Sequence, residues 1–224
     1  MKQALVTGAS SGIGAAVVDT LLAQGWQVTG LSRSRIERDS PHFRCACVDL
    51  FDSAALANVL NGLEAPQAIV HAAGMMKAAG LGELDSSTSQ QLWQLHIAVA
   101  ETLANTYVRH MRSGGRIVLL GSRTSRGAAG RSQYVATKSA MVGMVRSWAA
   151  ELAPRGITAN IVAPGATETP MLSQPGRESS PPKLPPIGRF IQPQEVAGLV
   201  AYLLSPAAAA ITGQELVICG GASL

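Results

Sequence analysis

Tyr134 and Lys138 stand four residues apart in Tyr134-Val135-Ala136-Thr137-Lys138. Residues i and i+4 share one face of a helix, which places the ammonium of Lys138 beside the phenol of Tyr134. A phenol with its ordinary pKa of about 10 is a poor base at neutral pH, but a fixed cation favours the phenolate and lowers that value. Tyr134 then becomes a usable acid or base. A Tyr and a Lys at this spacing also decorate ordinary helix surfaces; their weight comes from conjunction with Ser122 upstream and with a glycine-rich turn near the N-terminus.

That turn, Thr7-Gly8-Ala9-Ser10-Ser11-Gly12-Ile13-Gly14, joins a β-branched run directly to an amphipathic helical pattern. Glycines there permit a tight turn and let phosphates approach the backbone, while free N–H groups at the helix start attract negative charge. A dinucleotide is the expected ligand, held by Gly8, Ser10, Ser11, Gly12, Ile13 and Gly14. After the second strand, where a carboxylate would hold ribose hydroxyls, the chain reads Leu31-Ser32-Arg33-Ser34-Arg35. Arg33, with Arg35 as a second contributor, suits a 2′-phosphate through its guanidinium fork, and Ser32 and Ser34 add hydroxyls. NADP(H) is therefore expected over NAD(H), against the alternative that Arg33, Arg35 and Arg38 form a solvated loop.

The elements that must position these groups alternate. Apolar or β-branched runs at Gln3–Thr7, Gln27–Leu31, Phe43–Val48, Ala68–His71, Arg116–Leu120, Thr158–Val162 and Glu215–Cys219 are interleaved with helical patterns, among them Ile13–Gln24, Ser53–Gly62, Thr88–His110, Gln133–Leu152 and Pro193–Leu204. Seven strands and about six helices predict one doubly wound, Rossmann-type α/β domain over residues 1–224, with a seven-stranded parallel sheet covered on both faces. Ile69-Val70 and Ile117-Val118-Leu119-Leu120 are apolar without alternation, as strands buried on both sides require. Ligands bind such sheets beyond the carboxyl ends of the strands. Six of the twelve prolines fall between Thr169 and Arg189, which reads as a flap over the substrate.

Composition excludes several classes. Of the 224 residues 47% are apolar and 14% charged, which rules out a disordered tail, a collagenous repeat or an isolated coiled coil. The net charge of +4 favours small anions without demanding nucleic acid, and the dispersed arginines and few aromatics form no stacking stripe. No apolar stretch reaches the length of a membrane span, so a soluble, cytoplasmic protein is expected. Cys45, Cys47 and Cys219 lack metal-ligand spacing and suit a reducing compartment; no metal is expected.

Taken together, these residues resemble the single-domain branch of the short-chain dehydrogenase/reductase family along essentially the whole chain. The first turn looks like that family's T-G-x-x-x-G-x-G, Tyr134 to Lys138 its Y-x-x-x-K, and Ser122 its upstream serine. The resemblance implies that Tyr134 exchanges a proton with the carbonyl or alcohol oxygen while hydride moves to or from the nicotinamide, that Ser122 holds the same oxygen, and that Lys138 tunes the tyrosine and binds the nicotinamide ribose. It implies that Asp49 and Leu50 meet the adenine, that Ala73 and Gly74 give close backbone approach, and that Pro164, Gly165, Thr167 and Thr169 hold the carboxamide. It also implies a homodimer or homotetramer built on the helices Thr88–His110 and Gln133–Leu152.

Three features depart from the family pattern. His96 stands where the family usually has an Asn that bends the helix and anchors a water linking the lysine to solvent; it is either a replacement relay member or a spectator. His71-Ala72-Ala73-Gly74 replaces N-N-A-G, and Ala72 lacks an amide that ties neighbouring strands, which puts local rigidity in doubt. The interval from Ser122 to Tyr134 is one residue short, which leaves Ser125 as a second choice. Arg123, Arg126 and Arg131 are expected at the rim of the cleft, as a solvated loop or as attractors of an anionic substrate or acidic carrier. The expected activity is NADP(H)-preferring interconversion of a ketone, aldehyde or 3-oxoacyl thioester with an alcohol. The alternatives are a catalytically weak NADP(H)-binding regulator and an epimerase or dehydratase.

Overall fold

The computed structural model describes residues 1–173 and 180–224; part of the expected flap, residues 174–179, lies outside the described residues. Seven strands, β1 (Gln3–Thr7), β2 (Gln27–Ser32), β3 (Phe43–Cys47), β4 (Ala68–His71), β5 (Arg116–Leu120), β6 (Thr158–Pro164) and β7 (Glu215–Ile218), form one sheet in the order β3-β2-β1-β4-β5-β6-β7. Every neighbouring pair is parallel. The chain works outward from β1 to β3 and then returns to β4 on the other side of β1. The strand order reverses there, between the carboxyl ends of β1 and β4.

Non-alternating apolar strands follow from burial on both faces. Leu5, Ile69, Ile117 and Ile161 enter one core with Leu56 and Leu60 of α2 (Ser53–Asn61), Leu103 of α4 (Val99–Tyr107) and Met141, Val145 and Leu152 of α5 (Ser132–Leu152). Their strand neighbours Val6, Val70, Val118 and Val162 enter the opposite core with Val17 and Leu21 of α1 (Gly12–Ala23) and Val196, Val200 and Leu204 of α6 (Pro193–Leu204). Helix starts obey local chemistry: the Asp52 carboxylate accepts from the Ala55 N–H at 2.9 Å to cap α2. Gln192 and Glu195 form a capping box on α6, with Pro193 in its first turn.

The expected single helix Thr88–His110 is broken. It consists of α3 (Ser86–Trp93), a π-helical turn over Gln94–Ala98, and α4, which ends at Tyr107. It starts earlier than expected because the Asp85 carboxylate accepts from the N–H groups of Ser87 (3.1 Å) and Thr88 (3.0 Å). The Leu95 carbonyl within the π turn also accepts from the His71 ring at 2.9 Å, from the end of β4. Among the described residues no helix is long and apolar enough to cross a membrane. Within the Pro-rich segment, Pro170–Ser173 forms a 3₁₀ turn, and the Ile187 N–H donates to the Gly220 carbonyl at 3.2 Å.

Candidate active site

A cleft of about 530 Å³ opens beyond the carboxyl ends of the central strands, lined by Ile13 of α1, residues 72–76 after β4, residues 120–124 from the end of β5, and Pro164, Gly165, Thr167 and Thr169 from β6 and its loop. Tyr134 and Lys138 enter from α5, and His96 from the π turn. The residues expected at the nicotinamide end and the reacting centre therefore meet in one place. Gly8, Ser10, Ser11, Gly12, Gly14, Ser32, Arg33, Asp49 and Leu50 are not part of this lining; they belong to the first turn and to the ends of β2 and β3.

The first turn is shaped as a cradle. Gly8 has φ +67°, and a Cβ there would stand 2.8 Å from the Ala73 nitrogen; a Cβ on Gly14 would strike the Gly8 carbonyl oxygen. Ser11 precedes α1 in extended conformation and makes no side-chain cap, so the opening amides of α1 have no partner from it. A glycine cradle ending in an uncapped helix start suits a pyrophosphate. At the end of β2 the Ser32 hydroxyl donates to the Ser34 carbonyl at 2.7 Å and closes a small turn. Arg38 is paired with Asp19 at 2.8 Å and Arg35 with Glu37 at 3.6 Å, whereas Arg33 is exposed with no ion-pair partner among the described residues. The three arginines are thus unequal, and Arg33 alone keeps its charge uncompensated. Asp49 accepts from the Phe51 N–H at 3.0 Å, while Leu50 is buried.

Lys138 is buried on the inner side of α5. Its Nζ donates to the Leu120 carbonyl at 2.8 Å and stands 5.7 Å from the centre of the Tyr134 ring. Burial drives its pKa from 10.5 down to about 7, which poises the ammonium between charged and neutral near physiological pH. Ser122 lies in the cleft lining, with its Oγ 2.9 Å from the Thr124 hydroxyl and accepting the Thr124 N–H at 3.2 Å. Ser125 faces elsewhere, donating to Glu215 of β7 at 2.7 Å. Of the three rim arginines, Arg123 and Arg131 line the cleft and Arg126 does not. Arg123 donates to the Ala222 carbonyl at 3.2 Å, and Arg131 holds the Ser180 hydroxyl and carbonyl at 2.7 and 2.9 Å, tying the Pro-rich segment to the start of α5.

His96 sits beside the backbone of Gly74. A Cβ on that glycine would be 3.3 Å from His96 Nε2 and 4.0 Å from Lys138 Nζ, so the position keeps its close approach. The tie doubted at Ala72 is supplied otherwise: the Thr7 hydroxyl oxygen accepts from the N–H groups of Ala72 (3.1 Å) and Ala73 (3.0 Å), and His71 anchors Thr7. Thr124, His71, Met75, Lys183 and the Arg131–Ser180 strap were not identified as site residues from sequence. The signals there were the departure at His71 from the family's Asn and the expectation of Arg131 at the rim of the cleft.

Comparison with known proteins agrees with this geometry. A family model described as Enoyl-(Acyl carrier protein) reductase matches residues 8–223. The chain is 34% identical to the 3-oxoacyl-[acyl-carrier-protein] reductase of Escherichia coli, over 98% of this chain and 96% of that one. It is 31% identical to the 2,3-dihydro-2,3-dihydroxybenzoate dehydrogenase of the same organism, over 100% and 97%. A short-chain dehydrogenase/reductase from Serratia marcescens superposes with a TM-score of 0.85 at 33% identity, covering 100% of this chain and 98% of that one. With the family model spanning nearly the whole chain and relatives above 30% identity covered almost end to end, the chain belongs to the short-chain dehydrogenase/reductase family, a family of NAD(P)-dependent oxidoreductases.

Proposed function

We propose that the chain is an NADP(H)-preferring reductase that interconverts a ketone, aldehyde or 3-oxoacyl thioester with the corresponding alcohol. The observation that carries this reading is the buried Lys138 ammonium held beside Tyr134 in the same cleft as Ser122. The cradle of Gly8 to Gly14 and the amides at Ser10, Ser11, Gly12 and Ile13 fit a pyrophosphate; Arg33 fits a 2′-phosphate, with NAD(H) as the weaker partner, while Ser32, expected to add a hydroxyl there, instead spends its proton on the Ser34 carbonyl and shapes the turn that carries Arg33. Asp49 and Leu50 would border the adenine. Ala73, Gly74, Pro164, Gly165, Thr167 and Thr169 would border the nicotinamide, and Lys138 its ribose. A bound reduced nicotinamide supplies hydride.

The chain's own residues supply the proton and the hold on oxygen. Tyr134 donates its phenolic proton to the substrate oxygen as negative charge develops there, and takes it back in the reverse direction. Ser122, oriented by Thr124, donates to the same oxygen; a donor aimed in advance stabilises the transition state more than the ground state. A protonated Lys138 favours the phenolate left on Tyr134. Arg123, Arg131 and Lys183 line the cleft and suit an anionic or phosphate-bearing thioester.

We place this activity in the cytoplasm, in keeping with three free cysteines, and in a homo-oligomer, supported by exposed Trp93 on α3 and partly buried Met144 and Trp148 on α5. The test is loss of NADPH absorbance against a panel of 3-oxoacyl thioesters, ketones and aldehydes. Turnover that vanishes in Tyr134→Phe while NADPH still binds supports the reading; tight binding with no turnover on any class favours a regulator.

A further inference from the structure

Two histidines stand deep in the molecule, both without solvent exposure, at the junction of β1, β4, the π turn and α5. Their hydrogen bonds fix which ring nitrogen carries the proton. His71 Nε2 lies 2.9 Å from the Leu95 carbonyl, which can only accept, so Nε2 bears the hydrogen. Its Nδ1 is then a lone pair, and it accepts from the Thr7 hydroxyl at 2.9 Å. The Thr7 oxygen, its own proton committed, accepts the N–H groups of Ala72 and Ala73. His96 is the reverse. Its Nε2 accepts the Met75 N–H at 3.2 Å, so the hydrogen is on Nδ1, which donates to the Thr137 hydroxyl at 2.8 Å. Thr137 passes its own proton to the Tyr134 carbonyl at 2.9 Å. Each donor meets an acceptor, and no ring nitrogen of either histidine is left over.

We infer that His71 and His96 form a brace of two neutral imidazoles, locked in opposite tautomers, which positions the backbone of residues 72–75 and the first turn of α5 around the reacting centre. His96 is therefore a positioning residue with no part in carrying protons: a second proton on its Nε2 would face the Met75 N–H, donor against donor. A second proton on His71 would likewise face a Thr7 oxygen that already accepts two amides. Lys138, whose charge opposes protonation, and the Tyr134 ring, edge-on to His96 at 5.7 Å, face the pair from α5. Burial first, and then Lys138, pushes His71 down to about 3 and His96 lower still. The brace also grips the π turn, since His71 binds the Leu95 carbonyl one residue before His96. The tautomers stand on hydrogen bonds alone; service to the reacting centre rests on the proposed carbonyl reduction.

The test is long-range ¹H–¹⁵N NMR of the whole chain labelled at its histidines, from about pH 8 to about pH 5.5, with His71→Asn and His96→Asn for assignment. The brace predicts His71 in the Nε2–H form, His96 in the Nδ1–H form, and neither shifting with pH across that range. Either ring in the other tautomer, or titrating in that range, overturns it. In kinetics, His96→Phe should raise the NADPH KM at least about fivefold with the pH profile of kcat unmoved, and His96→Asn, which restores a donor and an acceptor, should return within about threefold of wild type. A displaced kcat profile with unchanged KM would instead make His96 a relay. If no carbonyl is reduced, the proposed reaction fails while the NMR result still decides the brace.

Discussion

Replacing Lys138 by Met removes a buried ammonium whose pKa burial lowers from 10.5 to about 7. For a cation with a depressed value, the folded chain binds fewer protons than the unfolded chain between those two pH values, so stability rises with pH across that window. Below the folded value the whole cost of burying the charge is present. At about 1.36 kcal/mol per pH step, that cost falls by about 2–3 kcal/mol between about pH 6 and about pH 9. Met has no proton to exchange and lacks this slope. Losing the 2.8 Å bond to the Leu120 carbonyl costs the variant about 1–3 kcal/mol at every pH, which moves the offset and not the slope. Relative to wild type, Lys138→Met should therefore lose about 2–3 kcal/mol of stability on going from the lower to the higher pH, roughly 4–12 °C in Tm for a chain of this size. Urea unfolding of the cofactor-free proteins followed by circular dichroism measures it, and titrating groups remote from Lys138 cancel between the two chains. A difference that stays constant within about 0.5 kcal/mol refutes the desolvated ammonium.

Arg33→Ala should weaken NADPH about tenfold, one charge-assisted hydrogen bond in an exposed setting, while NADH changes less than about threefold. Arg38→Ala, already neutralised by Asp19, should discriminate far less; equal losses of the two dinucleotides in Arg33→Ala remove the 2′-phosphate assignment. Gly8→Ala places a methyl against the Ala73 nitrogen on a left-handed backbone, so Tm and dinucleotide affinity should fall together, by an amount matching about 1–3 kcal/mol of strain. Unchanged Tm and Kd in that variant contradict the cradle. Tyr134→Phe should cut turnover by about 100- to 10,000-fold with NADPH Kd preserved; substantial surviving activity removes Tyr134 from the proton step.

What the sequence disclosed and what it concealed divide by the range of the interactions. Apolar runs such as Ile117 to Leu120 announce a doubly buried strand, and the glycine turn and the spacing of Tyr134 and Lys138 are local signals that survive in the fold. The position of His96, where the resemblance places a helix bend, hinted at the break in Thr88–His110, but the bond between His71 and Leu95 was not legible, because it joins residues 24 apart. For the same reason the tie between β1 and the segment after β4, made by the Thr7 hydroxyl oxygen accepting the Ala72 and Ala73 N–H groups, lies beyond what pattern reading along one strand reaches. The sequence reading put Ser122 before Ser125 and Arg33 before Arg35 and Arg38, whereas the partners that occupy Ser125 and Arg38, Glu215 and Asp19, are distant in sequence and emerge only in the fold.

The central claim, carbonyl reduction with Tyr134 as proton donor, is tested most directly by following the hydride itself. NADPH carrying deuterium at the reactive nicotinamide carbon is incubated with the protein and the best substrate of the panel, and the alcohol is analysed by mass spectrometry. The account predicts an alcohol carrying the deuterium on its carbinol carbon, formed by wild type and nearly absent with Tyr134→Phe. An alcohol without the label, or equal labelled product from Tyr134→Phe, would contradict it.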